Sequence, residues 1–346
     1  MTIGIEDEKV SRWLAASVEG VTAPFSFDFV SGGRSNLTFT VTDATGRRVV
    51  LRRPPVSHVL ASAHDMGREY RVISALQPTP VPVPGALGFC EDVEVNGAPF
   101  YVMDFVEGHV LRGAAEASAV LDDGARAAAG RNLVNVLADL HDVDVDAVGL
   151  GQLGRRGGYV ARQLQRWHGQ FVKSQEQEEA AGVFRPAQVV DEVHRMLVER
   201  TPEEKEVCIA HGDYRLDNTI VGADGSVRAV LDWELCTLGT PLADLATLLV
   251  YWADPGDPMA ATGLPGFPDR KAVVDMYAER SGRDVTDLAY YVAFAHWRLA
   301  CIIEGVYVRY ATGAMGPDTS GAAGFADGVL HRAELARKVL TAGTIV

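Results

Sequence analysis

The sequence has few cysteines and lacks a long apolar run, and both features narrow the class of protein. Its four cysteines lie far apart in a chain of 346 residues and form no CxxC pair. This distribution argues against a zinc site or a disulfide framework and favours reduced thiols. No stretch of about 18 uncharged apolar residues occurs, so no membrane-spanning helix is predicted. The acidic beginning also differs from a signal peptide, and we expect a cytoplasmic protein without a membrane partner.

Positive charge is also scarce. Lys and Arg number 32 against 46 Asp and Glu, which gives a net charge of −14. Such a chain repels nucleic acids and anionic membrane surfaces, so we do not expect either as a partner. The hydrophobic fraction of 47% and the charged fraction of 23% are ordinary for globular proteins. The length favours two lobes, because single cores stop growing near ~250–300 residues.

The beginning of the chain has the pattern of a β-rich lobe. Apolar residues change from helical spacing to β-branched and aromatic runs that are interrupted by glycine turns. The predicted elements are a helix at 6–19, strands within 25–53, a helix at 62–77, and a hairpin of 86–91 and 98–105 turned at Asn96-Gly97. We therefore predict a first lobe at residues 1–105.

The remainder of the chain, residues 106–346, is predicted to be a larger and mainly helical lobe. Helical patterns occupy 124–141, 241–253, 269–281, 286–311 and 325–341. One region differs, because residues 207–233 combine short apolar runs with a turn and a concentration of Asp and Asn. The predicted fold class is α+β, with a small β-rich lobe before a larger α-helical lobe.

The strongest chemical signal is His-Gly-Asp-Tyr-Arg-Leu-Asp-Asn at 211–218, followed by Val-Leu-Asp-Trp at 230–233. Phosphoryl transfer needs a carboxylate that orients the attacking hydroxyl and hard oxygen ligands that hold Mg²⁺. Asp213, Asn218 and Asp232 supply these groups, and the spacing matches the His-x-Asp-x-x-x-x-Asn loop of protein kinases. A solvated turn would explain His-Gly-Asp alone, but it does not explain the full spacing.

A second signal is the pairing of a strand arginine with a helix carboxylate. In Val49-Val50-Leu51-Arg52, alternation puts Val50 and Arg52 on one face of the strand. Glu69 lies on the inward stripe of the following helix, where an unpaired carboxylate would be costly, so it needs a cation. Arg52 is the first candidate and Arg53 the second. The alternative is a surface arginine and a helix glutamate with no partnership.

A weaker signal is the turn Ser-Gly-Gly-Arg-Ser-Asn-Leu at 31–37. Glycines there would let main-chain N–H groups approach phosphates. Any hairpin could carry such a turn, but its position before Arg52 favours a phosphate-binding role. Ser35 is our candidate contact in this turn.

Taken in order, these motifs resemble the aminoglycoside phosphotransferase and choline kinase-like family. The runs Val-Leu-Arg-Arg-Pro-Pro and His-Gly-Asp-Tyr-Arg-Leu-Asp-Asn look most like the branch that also occurs fused to acyl-CoA dehydrogenases. The chain departs from protein kinases in having Arg52 at the Lys position and in lacking Gly-x-Gly-x-x-Gly. The resemblance implies a bilobal kinase-like fold with ATP and Mg²⁺ as cofactors. It assigns Asp213 as catalytic base or orienting group, Asn218 and Asp232 as metal ligands, and the Arg52–Glu69 pair to the phosphates.

The same resemblance implies an adenine site and a support for the catalytic loop. Residues 100–108 would be the last strand of the first lobe and the hinge, unless they are an ordinary strand. The Asp104 carbonyl and Val106 N–H would contact adenine, and Met103 would line its pocket. Asp244 would anchor the catalytic-loop backbone, or else only complement a helix dipole. Glu234 is a weaker candidate for the metal or substrate region.

The expected function is transfer of the ATP γ-phosphoryl group to a hydroxyl of a small molecule. We favour a hydroxyacyl metabolite, free or as its CoA ester, and an aminoglycoside acceptor is the alternative. A nucleotide-binding protein without catalysis is a further alternative, which the intact Asp213, Asn218 and Asp232 set opposes. A metal-dependent phosphoesterase would leave Arg52 and Glu69 unexplained.

Overall fold

The protein divides into two compact units. The computed structural model describes residues 3–30, 36–56, 65–314 and 321–345. The first unit comprises Met1–Gly151, Arg215–Cys236 and Pro255–Pro268, and the second comprises Gln152–Tyr214, Thr237–Asp254 and Asp269–Val346. The lobe boundary that the sequence pattern indicates after residue 105 stays a prediction.

A five-stranded antiparallel sheet forms the beginning of the first unit. Its strands are β1 (Ser26–Phe29), β2 (Leu37–Thr42), β3 (Arg48–Arg53), β4 (Ala86–Cys90) and β5 (Phe100–Asp104). They lie in the order β1-β2-β3-β5-β4, and each neighbouring pair is antiparallel. β-Branched and aromatic side chains dominate these segments, as expected for a half-buried pleated surface. The predicted β-rich beginning is confirmed.

The two faces of this sheet have different roles. Helix α1 (Asp7–Ser17) packs on one face, where Val49, Leu51 and Val102 join its buried residues in one core. Successive side chains of a strand point to opposite faces, so Arg52 points away from that core. Helix α2 (Met66–Leu76) begins at Asp65, whose side chain accepts a hydrogen bond from the Arg68 N–H. Glu69 lies within its first turn.

The connection between β4 and β5 differs from the predicted two-residue turn. A short helix, α3 (Val93–Asn96), lies between the strands, and the Asp92 side chain caps its start by accepting from the Glu94 N–H. Gly97 then ends the helix with a φ of 72°. Asn96-Gly97 is therefore a helix end and not a hairpin turn, because the Asp92 cap starts a helical turn first. The strands nevertheless pair as predicted.

The remaining elements are mostly helical, as predicted. The helices are α4 (Ala114–Val120), α5 (Asp123–Asp142), α6 (Tyr159–Ala181), α7 (Gln188–Glu199), α8 (Pro241–Tyr251), α9 (Arg270–Ser281), α10 (Leu288–Ala311) and α11 (Ala322–Ala342). The short strands are β6 (Cys208–Ala210), β7 (Thr219–Val221), β8 (Val227–Val230) and β9 (Thr237–Gly239). The predicted α+β class is confirmed. Helices α4, α6 and α7 lie in segments for which the sequence pattern predicted no helix bounds.

Helix α10 is the centre of the second unit and packs against α6, α7, α8 and α11. Its Trp297 is fully buried and donates a 3.0 Å hydrogen bond to the Val190 carbonyl. Strands β6 and β9 pair beside these helices, with Ala210 opposite Thr237. Strand β6 thereby fixes the start of the 211–218 motif.

Within the described residues, we find no helix long and apolar enough to cross a membrane.

Candidate functional site

The Arg52–Glu69 pair is built by strand register. Arg52 lies opposite Tyr101 in the β3–β5 pairing, so both side chains share the face of the sheet that meets α2. Glu69 is 1% exposed, and its Oε2 lies 3.1 Å from Arg52 Nε. The Tyr101 hydroxyl donates to the same oxygen at 3.0 Å. The cation required by the buried Glu69 is therefore present, and Arg52 is that cation.

Asn36 completes the surroundings of Glu69. Its Nδ2 donates to Glu69 Oε1 at 3.2 Å and to Glu234 Oε2 at 3.4 Å. Sequence reasoning did not identify Asn36 or Tyr101 as site residues, although the position of Tyr101 opposite Arg52 follows once the strand register is known. The candidate contact Ser35 and the rest of 31–35 lie outside the described residues.

Arg52 also forms an ion pair with Asp232 through its Nη2. Burial alone would lower the pKa of Arg52, but the attraction of Glu69 and Asp232 outweighs it and raises that pKa. Burial raises the pKa of Glu69, and the Arg52 charge opposes this shift. The guanidinium is therefore held as a cation between two carboxyl groups.

Arg53, the second candidate, points to the opposite face of the sheet. It is buried and donates to the carbonyls of Gly4 at 2.5 Å and Asn96 at 2.9 Å. These contacts tie the approach to α1 to the end of α3. Arg53 thus stabilises the fold through main-chain carbonyls, whereas Arg52 contacts the carboxylates of Glu69 and Asp232.

A main-chain hydrogen bond brings the segments of the two predicted metal ligands, Asn218 and Asp232, together. The Leu231 N–H donates to the Asn218 carbonyl at 2.8 Å, directly beyond the β7–β8 ladder. Asp232 follows with φ 65° and ψ 60°, and it is the one non-glycine residue with positive φ that the described residues contain. Such a conformation is uncommon for a residue with a side chain and is frequent at functional sites.

Asn218 and Asp232 have the donor chemistry that suits Mg²⁺. Both present hard oxygen atoms, and the Asp232 side chain is 30% exposed. The described part of the chain contains no group of three or more His, Cys, Asp or Glu that could enclose a metal ion. Mg²⁺ usually takes one or two carboxylates together with phosphates and water, so a pair of protein ligands fits this ion.

Asp213 belongs to the second unit, where the adjoining backbone is firmly held. Asp244, which is 1% exposed, accepts from the His211 N–H at 2.5 Å and the Gly212 N–H at 2.8 Å. Arg298 donates to the Gly212 carbonyl at 2.7 Å. The expected anchoring by Asp244 is thus observed. The support from Arg298 was missed, because nothing in its helical segment distinguished it from other buried positions.

The predicted hinge residues follow the sheet directly. Met103 is buried on β5, and Asp104 ends that strand opposite Val49. The Val106 N–H makes no hydrogen bond to any described residue. Gly108 then passes close to β7, since a Cβ there would lie 2.9 Å from the Val221 carbonyl oxygen.

The sequence matches the model of the phosphotransferase enzyme family over residues 26–273. This match covers more than half of the chain and includes all the candidate residues. The protein belongs to this family.

Two curated relatives contain a similar region within longer chains. Acyl-CoA dehydrogenase family member 10 of mouse is 33% identical over 323 residues, and family member 11 of rat is 34% identical over 291 residues. These matches cover 90% and 81% of this chain. The chain spans only 29% and 36% of the respective relatives.

Solved structures with the same fold support the kinase-like class. A protein from Ralstonia eutropha, provisionally assigned as an aminoglycoside phosphotransferase, has a TM-score of 0.76 and 33% identity, covering 94% of this chain and 98% of its own. ADP-bound APH(2'')-Ib has a TM-score of 0.60 at 15% identity, covering 95% and 99% of the two chains. Amicoumacin kinase, solved with AMP-PNP and Ca²⁺, has a TM-score of 0.59 at 14% identity, covering 95% and 97%. The predicted kinase-like fold is confirmed.

Proposed function

We propose that this protein transfers the γ-phosphoryl group of ATP to a hydroxyl of a small molecule. The observation that carries the proposal is the double contact of Arg52 with Glu69 and Asp232. A planar, permanently charged guanidinium suits phosphate oxygens. Its location beside a candidate metal ligand is the arrangement that phosphoryl transfer requires.

The nucleotide is bound by first-unit residues in this proposal. Arg52 holds the α- and β-phosphates, and Glu69 fixes its orientation. Ser35 contributes from the preceding turn. The Asp104 carbonyl and the Val106 N–H contact adenine, and Met103 lines the pocket. The absence of any described partner for the Val106 N–H supports this last assignment.

Asn218 and Asp232 are the residues that hold Mg²⁺ together with the nucleotide. When bound, the metal ion neutralises charge on the transferring phosphoryl group. The main-chain hydrogen bond between Leu231 and Asn218 keeps the two ligand positions together before the nucleotide binds. In this proposal, the two metal ligands are thus close together before the nucleotide and the metal ion bind.

Asp213 orients the acceptor hydroxyl and accepts its proton. The hydroxyl oxygen forms the new bond to the γ-phosphorus, the bond from that phosphorus to the bridging oxygen breaks, and ADP leaves. A positioned carboxylate of this kind contributes roughly 10²–10⁴-fold to a rate. Anchoring of the preceding backbone by Asp244 supports such positioning.

The acceptor class that we favour is a hydroxyacyl compound, free or as its CoA ester. The two acyl-CoA dehydrogenase relatives support this choice, since they contain a similar region joined to a protein named for acyl-CoA chemistry. An aminoglycoside acceptor is the second candidate, supported by the provisional assignment of the Ralstonia eutropha protein.

The test is an acceptor screen with purified protein and Mg·ATP. The panel contains short hydroxy acids, their CoA esters and aminoglycosides, and ³¹P NMR detects the phosphorylated product. We expect ADP and a phosphate ester of a hydroxyacyl compound in equal amounts. Mg²⁺-dependent ATP binding without turnover across the panel would indicate a nucleotide-binding protein without catalysis. Hydrolysis of phosphate esters without nucleotide would indicate a phosphoesterase.

A further inference from the structure

One segment of the second unit has the opposite charge from the chain as a whole. Residues 152–175 contain no Asp or Glu, although the chain has 46 such residues and a net charge of −14. The cations of this segment are Arg155, Arg156, Arg162, Arg166 and Lys173. The segment includes the turn before α6, residues 154–158, which we call the basic turn, and residues 159–175 of that helix.

The basic turn lies against β9 at its start, and the residue just beyond its end also contacts this strand. At its start, a Cβ on Gly154 would lie 2.5 Å from Thr237 Oγ1 and 3.1 Å from the Leu238 nitrogen, so the two backbones are close. Beyond its end, the Tyr159 ring packs at Gly239, where a Cβ would lie 3.2 Å from the ring. The turn is therefore fixed along this strand.

This location puts the basic turn beside the strand that leads to Asp213. Thr237 pairs with Ala210, the last residue of β6, and His211-Gly212-Asp213 follows at once. Arg298 makes a second connection, because its charge opposes the rise that burial causes in the pKa of Tyr159, and it donates to the Gly212 carbonyl. The start of α6 and the backbone before Asp213 thus share one support.

The conformation of the basic turn is also fixed. Arg162 donates to the Arg155 carbonyl at 3.0 Å and to the Gly157 carbonyl. Gly157 and Gly158 have φ values of 73° and 64°, a region that glycine adopts without strain. The Arg155 and Arg156 side chains are both exposed. Arg166 lies four residues beyond Arg162, on the same side of α6.

We propose that the basic turn binds an anionic group of the acceptor through Arg155 and Arg156. This inference rests on the proposed function, in which Asp213 acts on the acceptor hydroxyl. Guanidinium groups bind phosphate and carboxylate in a bidentate manner. The anion is then a phosphate of a CoA ester or the carboxylate of a free hydroxy acid. A polycationic aminoglycoside would be repelled from this position.

The test is calorimetric titration of the full chain in saturating Mg·AMP-PNP, which blocks the nucleotide pocket. The probes are coenzyme A, 3-hydroxybutyrate and kanamycin. We expect one of the two anions to bind, with an affinity that falls as salt rises. The double variant Arg155→Ser/Arg156→Ser should raise its Kd about tenfold or more, as loss of charge-assisted hydrogen bonds predicts. Arg155→Lys/Arg156→Lys should recover part of the affinity.

The matched control is Arg195→Ser, which removes an exposed cation from α7 of the same unit. It should leave every Kd unchanged. Binding of coenzyme A identifies the phosphate source, and binding of 3-hydroxybutyrate alone identifies the carboxylate source. The inference is overturned if kanamycin is the only ligand, if neither anion binds, or if the double serine variant binds like the wild type. ATP turnover is measured separately, so its absence would count against the proposed function and not against anion binding.

Discussion

Arg52 pairs with both Glu69 and Asp232, so one guanidinium joins helix α2 to the segment after β8. Glu69 is almost fully buried, and without this cation its ionised form would be costly. The site therefore depends on a single side chain for two purposes. Arg52 compensates a buried carboxylate and, in the proposed function, presents a cation to phosphate.

Replacing Arg52 and replacing Arg53 should have different consequences. We expect Arg52→Ala to raise the Kd for Mg·ATP at least about tenfold, because a charge-assisted phosphate contact is lost. Arg53→Ala should leave that Kd unchanged and lower the free energy of unfolding by about 1–3 kcal/mol, since the Gly4 and Asn96 carbonyls lose their donor. Titration calorimetry and urea unfolding measure the two effects. A loss of ATP affinity in the Arg53 variant alone would reverse the assignment.

Asp213→Asn should abolish most of the transfer and spare nucleotide binding. The amide cannot accept the hydroxyl proton, so we expect the rate to fall by roughly 10²–10⁴-fold. Arg52, Asn218 and Asp232 remain, so the Kd for Mg·ATP should stay the same. Single-turnover kinetics with a responsive acceptor and calorimetry with AMP-PNP make the comparison. Turnover near the wild-type rate would remove Asp213 from the mechanism.

Asp232→Asn should weaken the Mg²⁺ dependence of ATP binding. Asparagine tolerates the left-handed backbone that Asp232 adopts, so the fold should persist while one negative metal ligand is lost. We expect ATP affinity to become nearly insensitive to Mg²⁺ concentration. The exposed Asp224, which caps a turn between β7 and β8, gives a matched control in Asp224→Asn. A full response to Mg²⁺ in the Asp232 variant would contradict the metal assignment.

Much of this site could be predicted from the sequence, because its chemistry is concentrated in short motifs. The alternation of β3 assigned Arg52 to the same face as Val50, and helical spacing assigned Glu69 to an inward position. Tyr101 and Asn36 were missed, since their roles depend on strand register and on the approach of distant residues. Arg298 was missed for the same reason, because its contact with Gly212 joins residues 86 positions apart.

Asp244→Ala should reduce both stability and rate. The buried carboxylate accepts two main-chain hydrogen bonds, so its removal leaves two buried donors unsatisfied, at a cost of about 2–4 kcal/mol. Turnover should fall because the backbone before Asp213 is released, while the Kd for Mg·ATP stays the same. Asp275→Ala is the control, since the Lys271–Asp275 pair is exposed and screened by solvent, so its loss should hardly change stability. Equal losses of stability in the two variants would show that the hydrogen bonds accepted by Asp244 stabilise the fold no more than an exposed ion pair does.

A buried carboxyl pair in the second unit should make stability depend on pH. Glu178 and Glu304 are both 0% exposed, and Arg185 pairs with Glu304. Burial, with the neighbouring Glu304 charge, raises the pKa of Glu178 from 4.5 to about 7. The folded state thus keeps a proton that the unfolded chain releases. The contribution of Glu178 to the free energy of unfolding is therefore complete below pH 4.5 and is lost as pH rises through 7. Glu178→Gln should remove this loss.

Urea unfolding of the wild type and of Glu178→Gln between pH 5 and pH 8 measures the effect. The quantity compared is the free energy of unfolding of each protein at each pH. Carboxylates that do not contact Glu178 titrate alike in wild type and variant and cancel in the comparison, whereas Glu304 interacts with Glu178 and is part of the effect. The free energy of unfolding of Glu178→Gln, relative to wild type, should therefore increase as pH rises. Glu176→Gln, at an exposed position on α6, should show a constant difference. A pH-independent difference for the Glu178 variant would show that this carboxyl group does not retain its proton in the folded protein.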